Sequence, residues 1–183
     1  SLCDLDPELI KLANRECLLS STYEPSSKTK MKLRAAPGAG TMYLQSECAE
    51  ALAELFAGAE EAGYKLYLKS AYRAYKTQKT MYNNRLERNN GKDDGWVSKP
   101  GASDHQTGLG CDVVPGSWKD KSMNSNMAST PECQWMAEHC YEYGFVIRYP
   151  EDKQDITEIN YEPWHLRYVG KEVARYIWRN GLC

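Results

Sequence analysis

SDHQTGLGCD, residues 103 to 112, sets an imidazole and a carboxylate seven residues apart, His105 and Asp112, and YEPWH, residues 161 to 165, adds a second imidazole, His165. Two ring nitrogens and one carboxylate oxygen make the three-ligand set that leaves a fourth tetrahedral position of Zn²⁺ open for chemistry. Two neutral His and one Asp leave such a site a formal charge of +1, enough to bring the pKa of a water held there from about 15.7 to near 7. Glu162, three residues ahead of His165, is not needed as a ligand and is free to accept that water's proton. The residues therefore point to a zinc hydrolase. The third histidine of the chain, His139, falls in an ordinary amphipathic helical pattern and is set aside. There is no HExxH pair, so the ligands cannot come from one helix and must be brought together by the fold from separate segments.

Those segments read mainly as strands. LGCDVVP is a short apolar strand carrying Asp112, with Cys111 turned to the opposite face as a small buried residue rather than a ligand. EPWHLRYV is a second strand; Pro163 disfavours a regular ladder, which puts Glu162 in a bend before the strand and His165 within it. FVIRY is a third. YKLYLKSAYR alternates, with Tyr64, Leu66 and Leu68 on one face, and leaves Arg73 just past the strand end, where a long cation reaches into a cleft from fixed backbone. Between them lie helices. Ala49, Leu52, Phe56 and Ala59 recur at helical spacing from Gln45 to a terminating Gly63. YKTQKTMYNNRLERN is helical and carries Gln78. Thr130 caps a helix with Pro131 at its first position, running to Gly144, and GKEVARYIWRNG closes the chain. NGKDDG, residues 90 to 95, is a turn-rich loop, and GSWKDKSMNSNMAST is a long polar loop at the edge of the cleft. This mixture, without regular strand-helix-strand crossovers, predicts an α+β single domain: a central antiparallel sheet flanked by helices, with the metal cleft on one sheet face.

Residues 1 to 42 read as an arm wrapping this domain, with 43 to 183 as the catalytic unit. The arm has Pro-centred breaks at Pro7 and Pro25 and a basic, Gly-rich stretch, KTKMKLRAAPGAG. Within it, LIKLANRECLL has the periodicity of a short helix.

For a chain of 183 residues one core is enough. A domain of that size buries roughly 70% of its unfolded surface. The net charge of −2 gives no basic footprint, which argues against nucleic acid and anionic membranes as partners. Thirteen Tyr and five Trp against two Phe supply rings with polar handles, suited to a groove for polar ligands as well as to a core with wet edges. No run of 18 apolar residues marks a membrane span or signal peptide. The start at Ser1 without Met suggests a trimmed chain, so a membrane link is expected only through an N-terminal anchor cut away here. Seven cysteines, Cys3, Cys17, Cys48, Cys111, Cys133, Cys140 and Cys183, contain no CxxC pair. Cys133 and Cys140 lie two helical turns apart, about 10 Å, too far for a direct disulfide. Bridges among the others are open, as is a fully reduced state.

SDHQTGLGCD and EPWH, together with SAYRAYKTQ at 70 to 78 and YGFVIRYP at 143 to 150, resemble the VanY-type D-alanyl-D-alanine carboxypeptidases, zinc peptidases related to lysostaphin-type enzymes and to the hedgehog signalling domain. The likeness spans about residues 43 to 182. It implies Zn²⁺ on His105, Asp112 and His165, Glu162 as catalytic base, Arg73 facing the scissile carbonyl, and Ser103, Gln78, Tyr149 and Trp164 in the substrate pocket. For the arm it implies a more extended path than the helix that periodicity allows. Arg148 is either a second carboxylate anchor or a solvent-facing residue. The implied reaction is removal of the terminal D-alanine of a peptidoglycan stem peptide, by a monomer, outside the cytoplasm. An L,D-carboxypeptidase, a cell-wall endopeptidase and a non-catalytic zinc-holding recognition module share the same residues. One departure is Gly110, where the family usually has Ala two residues before the metal Asp.

Overall fold

A computed structural model describes residues 5 to 183; Cys3 lies outside them. The elements follow in chain order. Thr29–Lys30 (β1) and Tyr43–Leu44 (β2) pair as a short antiparallel ribbon. Then come Ser46–Glu61 (α1), Leu66–Ser70 (β3), Tyr75–Arg88 (α2), Gly110–Pro115 (β4), Pro131–His139 (α3), Phe145–Ile147 (β5), Gln154–Thr157 (α4), His165–Tyr168 (β6) and Lys171–Asn180 (α5). Strands β3, β4, β6 and β5 form one antiparallel sheet in that order, so β4 and β6 are its centre.

Alternation along the central strands divides the sheet into two faces. Cys111 and Val113 of β4 join Leu66, Leu68, Leu166 and Tyr168 in the apolar core, while Asp112 and His165 emerge on the other side. α1 covers the core face with the stripe Cys48, Ala49, Leu52, Leu55, Phe56 and Ala59. Its start is fixed by Gln45, whose side-chain oxygen accepts from the Cys48 N–H at 3.0 Å, satisfying one of the orphan donors of the first turn. Leu52 is fully buried in this layer. Leu52→Ala is therefore expected to destabilise the protein by about 2–5 kcal/mol, seen as a lower denaturant midpoint at unchanged slope.

One open reading is decided and two expectations are corrected. LIKLANRECLL takes the non-helical of its two paths. The carbonyls of Leu9 and Lys11, which a helix would use internally, instead accept from Arg167 Nη2 of β6, both at 2.9 Å. The run from Thr130 is α-helical only to His139 and then tightens into a 3-10 turn, Cys140–Tyr143, before Gly144, a common ending for an α-helix. Strand β5 stops at Ile147, short of Tyr149.

The segment around Arg34 and Ala36 lies along the outer edge of β3, with Leu68 N–H donating to Arg34 O and Ala36 N–H to Leu68 O, each at 2.8 Å. This covers an otherwise open edge. Between Leu68 and Ser70 the β3–β4 register slips, leaving Lys69 as the extra residue of a bulge. The bulge places Ser70 opposite Asp112.

Candidate active site

Asp112 and His165 are direct partners across the β4–β6 ladder, so their side chains leave the same face as near neighbours. His105 comes from a single 3-10 turn, Asp104–Thr107, in front of that face. Ser103 Oγ caps this turn by accepting from the His105 N–H at 3.2 Å. Gly108 ends it at φ +71°, where a Cβ would stand 3.0 Å from the Pro25 ring. Glycine alone adopts that conformation without steric cost.

The His105 ring has Nδ1 2.7 Å from the Ala71 carbonyl, which fixes Nδ1–H as the donor and turns Nε2 toward Asp112, 3.3 Å from Oδ1. His165 presents its other nitrogen: Nδ1 is 3.9 Å from Asp112 Oδ1, while Nε2 points away to Asp104 Oδ1 at 2.7 Å. One ligand atom from each of His105, Asp112 and His165 lies within 4.8 Å of the others. Asp112 Oδ1 is buried without a hydrogen-bond partner. A buried carboxylate oxygen in that condition is costly, and a cation ringed by two imidazoles is the partner that the site lacks from protein. The donor set, two nitrogens and one oxygen, fits Zn²⁺.

Charge within the pocket follows the same logic. Burial holds His105 below its usual pKa, keeping a lone pair available. Burial opposes ionisation of Asp112, yet His105, His165 and Arg73 hold its carboxyl below the ordinary range. For His165 burial again opposes charge, but Asp104, then Glu162 and Asp112, raise it to about 10. The carboxylates around this ring favour positive charge on it, which suits a cation at Nδ1 as well as a proton there.

Glu162 sits in the turn ahead of β6, its N–H on the Tyr149 carbonyl at 3.0 Å and its carbonyl on the His165 N–H at 3.2 Å. Its Oε2 is 3.1 Å from His165 Nδ1. Burial, reinforced by Asp112 and Asp104 against the opposing pull of His165, pushes its pKa up. Arg73 is fixed by its backbone N–H on the His105 carbonyl at 3.0 Å, by Nη1 on Gln78 Oε1 at 2.9 Å and by Nη2 on Ser70 Oγ at 3.0 Å.

All of these groups open on one cleft of about 400 Å³, which Ser103, Gln78, Tyr149 and Trp164 also line. The structure thus brings together every residue singled out for the site. Arg148 is the exception among the further candidates: it does not line this cleft but is largely buried beside a separate cavity, with its Nε 3.8 Å from Asp104 Oδ2. Asp104 and Trp96 are among the residues at the site that sequence does not single out, with Met81, Val97 and Ser98 also on the cleft wall. Asp104 adjoins His105 in the motif, but its contact with His165 depends on the fold. Trp96 follows directly on the stretch read as a turn and stacks on Trp164, with centroids 6.4 Å apart. Its loop is pinned by Arg85, whose Nη2 and Nε lie 2.6 and 2.9 Å from Asp94 Oδ2, and by Asn160 Nδ2, 2.8 Å from the Asp94 carbonyl.

The family model for VanY, D-alanyl-D-alanine carboxypeptidase, matches residues 41–171. The chain belongs to the VanY family. It is 38% identical over 181 residues to the putative carboxypeptidase YodJ of Bacillus subtilis strain 168, covering 97% of this chain and 66% of that protein. The chain spans less than two thirds of the length of the first curated relatives it matches. Among solved structures it resembles the LdcB LD-carboxypeptidase, with a TM-score of 0.88 and 38% identity over 96% of this chain and 84% of that one. It also resembles a vancomycin resistance D,D-pentapeptidase VanY variant in complex with Zn(II), with a TM-score of 0.78 and 28% identity over 97% of each chain. VanY-type architecture, a mixed α/β domain with antiparallel strands, is therefore the fold of this chain.

Proposed function

We propose that this chain is a zinc-dependent carboxypeptidase that removes the C-terminal D-alanine of peptidoglycan stem peptides outside the cytoplasm, with the residues before 43 as an arm on one catalytic unit. The observation that carries this is the meeting of His105, Asp112 and His165 beside a buried carboxylate, Glu162, that the ligand set does not require. Those three residues would hold Zn²⁺. When bound, the ion supplies a Lewis acid that polarises the scissile carbonyl and acidifies a water.

Glu162 accepts the proton of the attacking water at its carboxylate and returns it to the departing amine nitrogen. Its raised pKa suits both halves of that task. Arg73 has two of its guanidinium N–H donors engaged by Gln78 and Ser70, out of the five that the group carries. The others are available to the carbonyl oxygen as charge builds there, a contribution on the order of 3 kcal/mol for one such donor. Gln78 acts chiefly by holding Arg73, since its amide nitrogen is committed to the Ser98 carbonyl at 2.7 Å. Ser103 and Tyr149 are left to receive the terminal carboxylate, and Trp164 forms the wall along the peptide. The cleft, about 400 Å³ in volume, has the size of a small-ligand pocket and accommodates the end of a peptide rather than a folded partner.

A second reading differs in the residue before the cut bond, an L-configured third residue in place of D-alanine: the stronger likeness to LdcB favours an L,D-carboxypeptidase acting on a tetrapeptide. Zinc-loaded protein incubated with a muramyl pentapeptide and with a tetrapeptide, read by mass spectrometry, separates the two. Loss of one alanine from the pentapeptide alone supports D,D cleavage, and loss from the tetrapeptide supports L,D cleavage. If neither peptide is shortened, the carboxypeptidase assignment fails.

A further inference from the structure

Resting on the zinc reading above, we infer that Asp104 is a positioning residue of the metal centre: its carboxylate holds His165 with the proton on Nε2 and Nδ1 turned to the cation, and Gly110 is the residue that admits it. The two imidazoles meet Asp112 through opposite nitrogens, Nε2 of His105 and Nδ1 of His165. Each outer nitrogen is tied to one acceptor. For His105 it is the Ala71 carbonyl at 2.7 Å, and for His165 it is the fully buried Asp104 at 2.7 Å. An acceptor on the outer nitrogen fixes the tautomer and ring angle, and a carboxylate there makes the ring a more basic ligand.

Gly110 lies on β4 two residues before Asp112 and so on the same face. A Cβ on Gly110 would stand 2.6 Å from Asp104 Oδ1 and 3.1 Å from the Asp104 backbone carbonyl carbon. That oxygen is the one His165 holds, so relief by rotation means releasing the ring, and the backbone carbon has no such freedom. The departure at Gly110 from the Ala usual in the family is in this way coupled to Asp104. On its far side Asp104 faces Arg148, Nε to Oδ2 at 3.8 Å. A fixed cationic neighbour of this kind offsets the cost of burying the carboxylate.

The test measures zinc dissociation constants by competition with a chelating dye for the full chain, Asp104→Asn, Gly110→Ala and the double variant, alongside ¹⁵N chemical shifts of the imidazoles in zinc-loaded protein. Each single variant is expected to weaken zinc by about 10- to 100-fold. The double variant should be no weaker than the worse single one, because both changes remove the same hydrogen bond. The unsubstituted chain should show His165 with Nε2 protonated. Unchanged zinc affinity in both folded single variants, or a His165 protonated at Nδ1 in the zinc-loaded chain, overturns the inference and leaves the metal reading standing. Losses that multiply in the double variant overturn the coupling of Gly110 to Asp104. An unsubstituted chain that binds no zinc removes the metal reading and this inference together.

Discussion

Glu162→Gln is expected to leave zinc bound and to lower turnover by about 10²–10⁴-fold, the range of a general acid–base group. The substitution keeps the length and shape of the side chain, and the backbone bonds that set the turn, to the Tyr149 carbonyl and from the His165 N–H, do not involve the carboxylate. What it removes is the capacity to take a proton. Metal content by elemental analysis and D-alanine release by mass spectrometry are measured on the same sample. If zinc leaves with the carboxylate, Glu162 is a ligand and its assignment as base is wrong.

A comparably large loss is expected for Asp112→Ala, by the opposite route. This residue supplies the only carboxylate of the ligand set and the buried Oδ1 that lacks a protein donor. Its removal leaves two imidazoles, so zinc should no longer copurify and turnover should fall by about 10³-fold or more, since the ion contributes several kcal/mol at about 1.36 kcal/mol per tenfold. The fold should persist, because Cys111 and Val113 on either side keep β4 packed in the core. Circular dichroism together with metal content distinguishes this outcome from unfolding. Retention of full zinc by Asp112→Ala would place the ion elsewhere.

The candidate metal set was legible in sequence because its chemistry is local: a histidine and an aspartate within one motif, and a glutamate three residues from a second histidine. Period-two alternation put Asp112 and Cys111 on opposite faces, and helical spacing located α1 from its buried stripe. What escaped depends on long-range contact. No pattern in KSAYR announces that Lys69 is an extra residue, since a bulge is defined against the partner strand. LIKLANRECLL had helical spacing, but Ala13 and Leu19 bury without a helix and Arg167 captures the carbonyls of Leu9 and Lys11. Arg148 faces Asp104, whose own partner His165 lies 61 residues further along the chain, so no local pattern announces the contact. Trp96 sits in a loop whose composition signals only a turn.

Arg167 stands two residues past His165 on the same strand and face, and through it the residues at Leu9 and Lys11 are stitched to β6. Slackness in those early residues would deprive a sunken guanidinium of two acceptors, a loss that buried donors do not tolerate cheaply, and it would reach the ring along a single strand. Order around Leu9 and Lys11 and the setting of the His165 strand are thus mechanically linked.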